Sequence, residues 1–202
     1  MKDSTTEQKI LEAAINIFQK KGMAGARMQE IADEARINKA MLHYYFRSKQ
    51  RLFEAVFMQT FLKFAPQINE IFSSDATVFE KVRSFVDRYI SSVQENPYIP
   101  SFLIQEINNN PEFAHNFFNT HGVPDPSPFE KQITEEIEKG VLKTIDPKQM
   151  ILNLFSLTAF SFAANGLVKG LLNIDEENFK MMMEERKKLI PELIISSIKN
   201  YG

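Results

Sequence analysis

Few side chains in this 202-residue sequence carry reactive chemistry. Cysteine is absent, which excludes thiolate zinc clusters, a cysteine nucleophile and a thiol redox switch. The histidines are His43, His115 and His121. His115 and His121, with Glu112 and Asp125, could suggest a hydrolytic or metal site. No glycine-rich loop, nucleophile elbow or paired-carboxylate motif accompanies them. His43 has no carboxylate at ligand spacing, and a zinc site needs three or four convergent ligands. These residues read as ordinary polar groups, so no metal, no cofactor and no enzymatic activity are expected. A different chemistry is concentrated between residues 39 and 49. Lys39, Ala40, Met41, His43, Tyr44 and Tyr45 crowd one short segment, and Lys49 follows it. So much aromatic surface is wasteful in water and suits the major groove of DNA. A small Ala40 allows close approach to base edges, Met41 can touch a thymine methyl, and Lys39 can reach a guanine edge or a phosphate. Tyrosine hydroxyls can bond phosphates, and Lys49 adds charge in the first turn of the next helix.

The elements that must position this segment are helical. Two very short helices fit residues 28–35 and 39–45, separated by Arg36, Ile37 and Asn38. Ile31, Ala32 and Ala35 face inward on the first, and Ile37, Leu42 and Phe46 close a small core with Ile17 and Phe18 of an opening helix. Asn38 is placed to cap the second short helix and Ser48 the long helix after it. This is a helix-turn-helix within a three-helix head. Of the two tyrosines, one should lie partly in the core, with Tyr45 and His43 expected as the groove-facing pair.

Helical periodicity continues through the rest of the chain. Phe53, Val56, Phe57 and Phe61 share a face up to Pro66, and Val78, Val82, Phe85, Val86, Tyr89, Ile90 and Val93 form a stripe. Ser127-Pro128-Phe129-Glu130 has the form of a capping box. Pro191 should kink or divide the last helix. No strand alternation is found, so the fold is expected to be all-α, with about nine helices: a helix-turn-helix DNA-binding domain at 1–50 and a helical bundle for ligand binding and dimerisation at 51–202.

Composition agrees with a globular chain, at 44% hydrophobic and 25% charged residues. The net charge is −2, but residues 1–53 hold ten basic and six acidic side chains, leaving +4 there and −6 in the remainder. That asymmetry is the pattern of a DNA-contacting head on a body that avoids DNA. Met1 to Glu7 contains no apolar run of the kind a secretory signal has. From Ile151 to Val168 eighteen residues carry no formal charge, near the length of a membrane span. Asn153, Ser156, Thr158, Ser161 and Asn165 interrupt it and no basic cluster flanks it, so a helix buried within a bundle is expected. No membrane partner and a cytoplasmic location follow as expectations.

Ile31-Ala32, Ile37-Asn38-Lys39-Ala40, Leu42-His43-Tyr44-Tyr45-Phe46, Ser48-Lys49 and Leu52-Phe53 together resemble the DNA-binding domain of tetracycline-repressor-like (TetR-family) transcriptional regulators, over residues of about 5–53. The resemblance implies a homodimeric bacterial regulator whose head reads a palindromic double-stranded DNA operator; a ligand-released repressor is the expected function, with an activator or a non-allosteric DNA binder of the same fold as the alternative. The resemblance also implies helices further along that bind a small effector and form the dimer interface. At the matching positions the DNA contacts are Lys39, Ala40, Met41, His43, Tyr44, Tyr45 and Lys49. Three departures stand out. Ala26 and Arg27 replace a Thr/Ser pair, which loses a cap worth about 1 kcal/mol while Arg27 offers a phosphate contact in its place. Arg36 replaces a common turn glycine, and Met41 replaces a common threonine. In the remaining helices an apolar pocket for a hydrophobic effector is expected around Phe102, Gln105, Phe117, Phe155, Phe160 and Asn165, on composition alone. The uncharged helix and the last helix are expected to form a four-helix dimer interface that includes Phe162, Leu167, Leu189, Leu193 and Ile194.

Overall fold

The computed structural model describes residues 4–95 and 99–201. They form eleven helices: α1 (Ser4–Gly25), α2 (Met28–Glu34), α3 (Lys39–Tyr45), α4 (Lys49–Ser73), α5 (Val78–Glu95), α6 (Ile99–Asn109), α7 (Pro111–His121), α8 (Ser127–Glu138), α9 (Pro147–Ala163), α10 (Asn165–Leu172) and α11 (Glu176–Ile198). The one extended pairing among the described residues is a single antiparallel bridge, Leu142 to Lys199. The all-α class is as expected, and the number of helices exceeds nine. Pro111 opens α7 one residue after α6 ends, a position proline favours because its missing amide is not needed there. Ala164, at φ −112° and ψ 31°, ends α9. The uncharged stretch is therefore two helices bent by 78°, not one rod, and no single described helix is long and apolar enough to cross a membrane.

The chain divides into two compact units within α4. The first comprises residues 1–63 and 102–120, the second residues 64–101 and 121–202.

In the first unit Ile10, Ala14 and Phe18 of α1 meet Ile31 and Ala32 of α2, Leu42 of α3, and Leu52, Phe53, Val56 and Phe57 of α4, all buried. Ile17 and Ile37 pack at the edge of this core. Phe102 and Phe117 complete it, with ring centroids 5.8 Å from Phe53 to Phe102 and 4.8 Å from Phe57 to Phe117. Such aromatic contacts add about 0.5–1.5 kcal/mol each beyond the area they bury.

In the second unit α5 lies along α11. Phe72, Phe85 and Phe129 stack at its centre, with centroids 5.9 Å and 5.0 Å apart. Lys81 is buried beside them; its Nζ donates to the carbonyl oxygen of Phe72 at 2.9 Å, closing the C-terminal turn of α4. Burial pushes its pKa down, opposed by the charges of Asp75 and Glu136. α4 runs through Pro66 and α11 runs through Pro191, so neither proline divides its helix. Each proline removes one backbone bond, and the apolar residues around it, such as buried Ile190 and Ile194, hold the helix together across the gap.

Helix starts differ from the sequence reading in one instructive way. No capping box forms at Ser127–Glu130; Asp125 accepts from the Ser127 amide at 2.9 Å instead. The reciprocal pair sits at Thr77 and Glu80. The Glu80 carboxylate accepts from the Thr77 amide at 2.9 Å, and the Thr77 hydroxyl accepts from the Glu80 amide at 3.3 Å.

Candidate nucleic-acid interface

α3 owes its position to its two ends. Asn38 is extended at φ −79° and ψ 155°, and its Oδ1 accepts from the Met41 amide at 2.7 Å. At the other end the Phe46 amide returns to the Leu42 carbonyl at 2.8 Å, and Ser48 caps α4 by accepting from the Arg51 amide at 3.2 Å. The turn before α3 is closed by two bonds, Arg36 N–H to Asp33 O at 3.1 Å and Ile37 N–H to Ala32 O at 3.0 Å. This is a helix-ending motif that requires left-handed backbone at its centre, and Arg36 supplies it at φ 56°. Arg27 precedes α2 without a side-chain cap, as its type predicts.

Leu42 is the buried anchor of α3. Residues three and four positions on share its face, so Tyr45 packs at the edge of the head core and Phe46 is buried. The other positions, Lys39, Ala40, Met41, His43 and Tyr44, are all exposed, with Tyr44 at 67%. This reverses the expected order of the two tyrosines: Tyr44 faces outward with His43, and Tyr45 is half-buried. Their rings meet edge to face with centroids 5.6 Å apart, so Tyr45 braces Tyr44. Arg27 is exposed as well.

Lys49 has a second task that its place in the sequence conceals. Its Nζ donates to the carbonyl oxygens of Ala26 at 3.1 Å and Ala24 at 3.4 Å. It thus satisfies carbonyls left over where α1 gives way to α2. Lys21 and Glu30 join the same two helices by an ion pair of 2.9 Å, which holds the Glu30 carboxyl below its ordinary pKa. Being largely solvated, that pair adds little to stability.

The six effector candidates fall in both units. Phe102 and Phe117 are core residues of the first unit, and Gln105 is exposed there. In the second unit Phe155 packs edge-on to Phe85 with centroids 4.8 Å apart, Phe160 is 56% exposed, and Asn165 begins α10 half-buried. Of the five dimer candidates, Phe162 is buried at 1% exposure against Phe179, and Ile194 is buried too. They belong to the core of the second unit, because α9 presents Met150, Ile151, Leu154, Ser161 and Phe162 inward and α11 presents Phe179, Met183, Ile190 and Ile194. Leu167, Leu189 and Leu193 remain exposed, and Leu152 and Leu171 join them. His115 bonds Asn119 at 3.0 Å on α7, and among the described residues no group of histidine and carboxylate side chains could hold a metal.

A seven-residue helix, capped at both ends, anchored by one leucine and showing solvent a face of cation, small apolar and aromatic side chains, is the recognition half of a helix-turn-helix. Residues 10–56 match the family model described as bacterial regulatory proteins, tetR family. A probable helix-turn-helix transcriptional regulator of Bacillus subtilis, YttP, is 23% identical over 188 residues, covering 91% of each chain. The repressor NicS of Pseudomonas putida is 39% identical over 59 residues, which cover 29% of this chain and 28% of NicS. The fold is that of the crystal structure of HlyIIR, a hemolysin II transcriptional regulator, at a TM-score of 0.64 and 23% identity over 97% of this chain and 98% of that one. Residues 10–56 are thus a helix-turn-helix head of the tetR family of bacterial regulatory proteins, and the full length is similar in sequence to one transcriptional regulator and in fold to another.

Proposed function

We propose that this regulator is a cytoplasmic repressor that binds a palindromic operator as a homodimer and is released by a small hydrophobic effector. Residues 1–50 make the DNA contacts through Arg27, Lys39, Ala40, Met41, His43, Tyr44 and Lys49, with half-buried Tyr45 bracing Tyr44 from the core side, and residues 51–202 bind effector and partner subunit. The outward face of α3 is the observation that carries this reading, because exposed Met41 and Tyr44 cost free energy in water and gain it in a groove. Repression is favoured by the relatives that share the head: NicS is a transcriptional repressor and IcaR of Staphylococcus aureus is a negative regulator, 40% identical over 48 residues. Two subunits are needed to read two half-sites about one helical turn apart, and the exposed Leu152, Leu167, Leu189 and Leu193 offer the apolar surface for pairing.

For the effector, Phe155 is the candidate with most support. It lies against Phe85, which with Tyr89 and Ile68 lines a cavity of about 10 Å³. That volume holds no more than one water, so a ligand enters only by parting these rings. Phe85, Ile68 and Ile71 make most of this lining apolar, with Gln67, Arg88, Tyr89 and Ser92 as its polar members, so a mainly apolar guest is the expected class. Effector and operator favour different conformations, so each weakens the other's binding by the same factor, commonly worth 1–3 kcal/mol. The test is selection of genomic fragments by the purified protein, followed by a screen of apolar compounds for release. Recovery of a palindrome bound by two subunits supports the reading, and sequence-independent retention at every salt concentration refutes it.

A further inference from the structure

The chemistry exposed on α3 limits which bases it can tell apart. In the major groove adenine is read by a fork that donates to N7 and accepts from N6, cytosine by an acceptor, guanine by donors, and thymine by an apolar contact with its methyl group. The α3 sequence Lys-Ala-Met-Leu-His-Tyr-Tyr contains no carboxamide and no carboxylate. The adjacent carboxamide, Asn38, has its Oδ1 committed to the Met41 amide at 2.7 Å, which fixes the plane of the group and takes the acceptor half of an adenine fork. Tyr44 and His43 each can donate or accept, so neither discriminates by hydrogen-bond sense. What remains in the first turn, the part of a recognition helix that reaches base edges, is Lys39 as donor and an apolar pair, Ala40 and Met41, both exposed. Met41 is unbranched and polarizable, and it adapts its shape to a methyl group better than a branched side chain does.

We infer that α3 selects its half-site through thymine methyl groups met by Ala40 and Met41, with Lys39 as the donor to a guanine, and without carboxamide–adenine pairing. The inference rests on the reading of α3 as a DNA-recognition helix.

The test uses the full-length protein and a random-sequence duplex library. The selected duplex is resynthesised with deoxyuridine in place of each thymidine in turn, which deletes one methyl and leaves every hydrogen-bonding group in place. Affinity is read by fluorescence anisotropy at one fixed salt concentration. One methyl-sized group removed from an apolar contact is expected to cost about fourfold, from about 0.8 kcal/mol per buried methylene. At least one thymine in each half-site should show that loss in the wild type. Met41→Ala, whose circular dichroism and melting temperature should match the wild type, binds more weakly and no longer responds to uracil at that position. Met41→Leu keeps the response. Indifference of the wild type to every uracil, or an undiminished response in Met41→Ala, overturns the inference and leaves the regulator reading standing. Retention of no duplex at all overturns both.

Discussion

Arg36 occupies a backbone conformation that glycine would fill at lower cost, which makes its replacement a quantitative test of the turn. Its φ of 56° brings Cβ against the following carbonyl, and an L-residue pays about 1–2 kcal/mol there. Glycine relieves that strain but has more freedom to lose on folding, which offsets about 0.5–1 kcal/mol. Arg36→Gly should therefore stabilise the head by about 0.5–1 kcal/mol, or about 1–4 °C in melting temperature for a chain of this size. Both hydrogen bonds of the turn, from Arg36 to Asp33 and from Ile37 to Ala32, are made by backbone and survive the change. Arg36→Ala is the control, because it removes the same guanidinium and keeps Cβ in the strained region. Thermal denaturation followed by circular dichroism should rank glycine above arginine, with alanine no better than arginine. Equal stabilisation by alanine and glycine would assign the gain to the lost charge and refute the strain account. Anisotropy on the selected duplex adds a second reading: Arg36 is exposed beside α3, so if its guanidinium meets a phosphate, Arg36→Gly lowers the slope of log affinity against log salt by about 1.

Three further outcomes follow from side-chain placement. Tyr44→Ala should lower duplex affinity about tenfold with little change in melting temperature, whereas half-buried Tyr45→Ala should lower stability by about 1–2 kcal/mol; the opposite assignment would restore Tyr45 as the groove residue. Phe162→Ala should cost about 3–5 kcal/mol in chemical denaturation, while Leu193→Glu should leave each protomer folded and shift analytical ultracentrifugation toward monomer. The Glu80 carboxyl is held below its ordinary 4.5 by the Thr77 amide and hydroxyl, so its contribution is present above that value and is lost as pH falls through the lower folded value. Melting temperature should accordingly fall as pH drops below the ordinary 4.5, and Glu80→Gln should flatten that dependence.

The head was legible because its signals are local. Asn38 and Ser48 precede their helices by one position and cap them, and the bare N-cap at Arg27 follows from its side chain alone. The order of Tyr44 and Tyr45 is also legible in register, since Tyr45 lies three residues from Leu42 on a helix, whereas composition alone does not separate two adjacent tyrosines. Thr77 and Glu80 have the spacing of a capping box as plainly as Ser127 and Glu130 do. The difference is that Asp125 stands two residues before Ser127 and takes its amide first. Contacts distant in sequence were beyond reach. Nothing near Lys49 indicates that its ammonium meets carbonyls at residues 24 and 26, and nothing in an uncharged helix says that Phe162 points inward and Phe160 outward. The periodicity of α9 is weak because polar residues hide within it by self-satisfaction: the buried Thr158 hydroxyl donates to the Leu154 carbonyl at 2.7 Å, so it interrupts the apolar pattern without costing an unpaired group.

The places where the head departs from local preference share a location. Arg27 stands where a capping side chain would stabilise α2 by about 1 kcal/mol, and Arg36 stands where glycine would relieve the turn. Both positions lie at the ends of α2, both side chains are exposed, and both substitutions exchange backbone stability for a guanidinium. Guanidinium groups stay charged at any physiological pH and bond phosphate oxygens in pairs, which neither a threonine cap nor a glycine turn can do. Departures from local consistency gather where function outweighs stability. On that basis Arg27 and Arg36 are predicted to meet phosphates at the two ends of the proposed DNA face, while Lys49, with its ammonium on the carbonyls of Ala24 and Ala26, holds the turn that carries Arg27. Replacing both arginines by the residues local preference favours, Arg27→Thr with Arg36→Gly, should give a more stable head that binds DNA with a salt slope lower by about 2. A double variant with higher stability and an unchanged slope would mean that neither arginine touches phosphate.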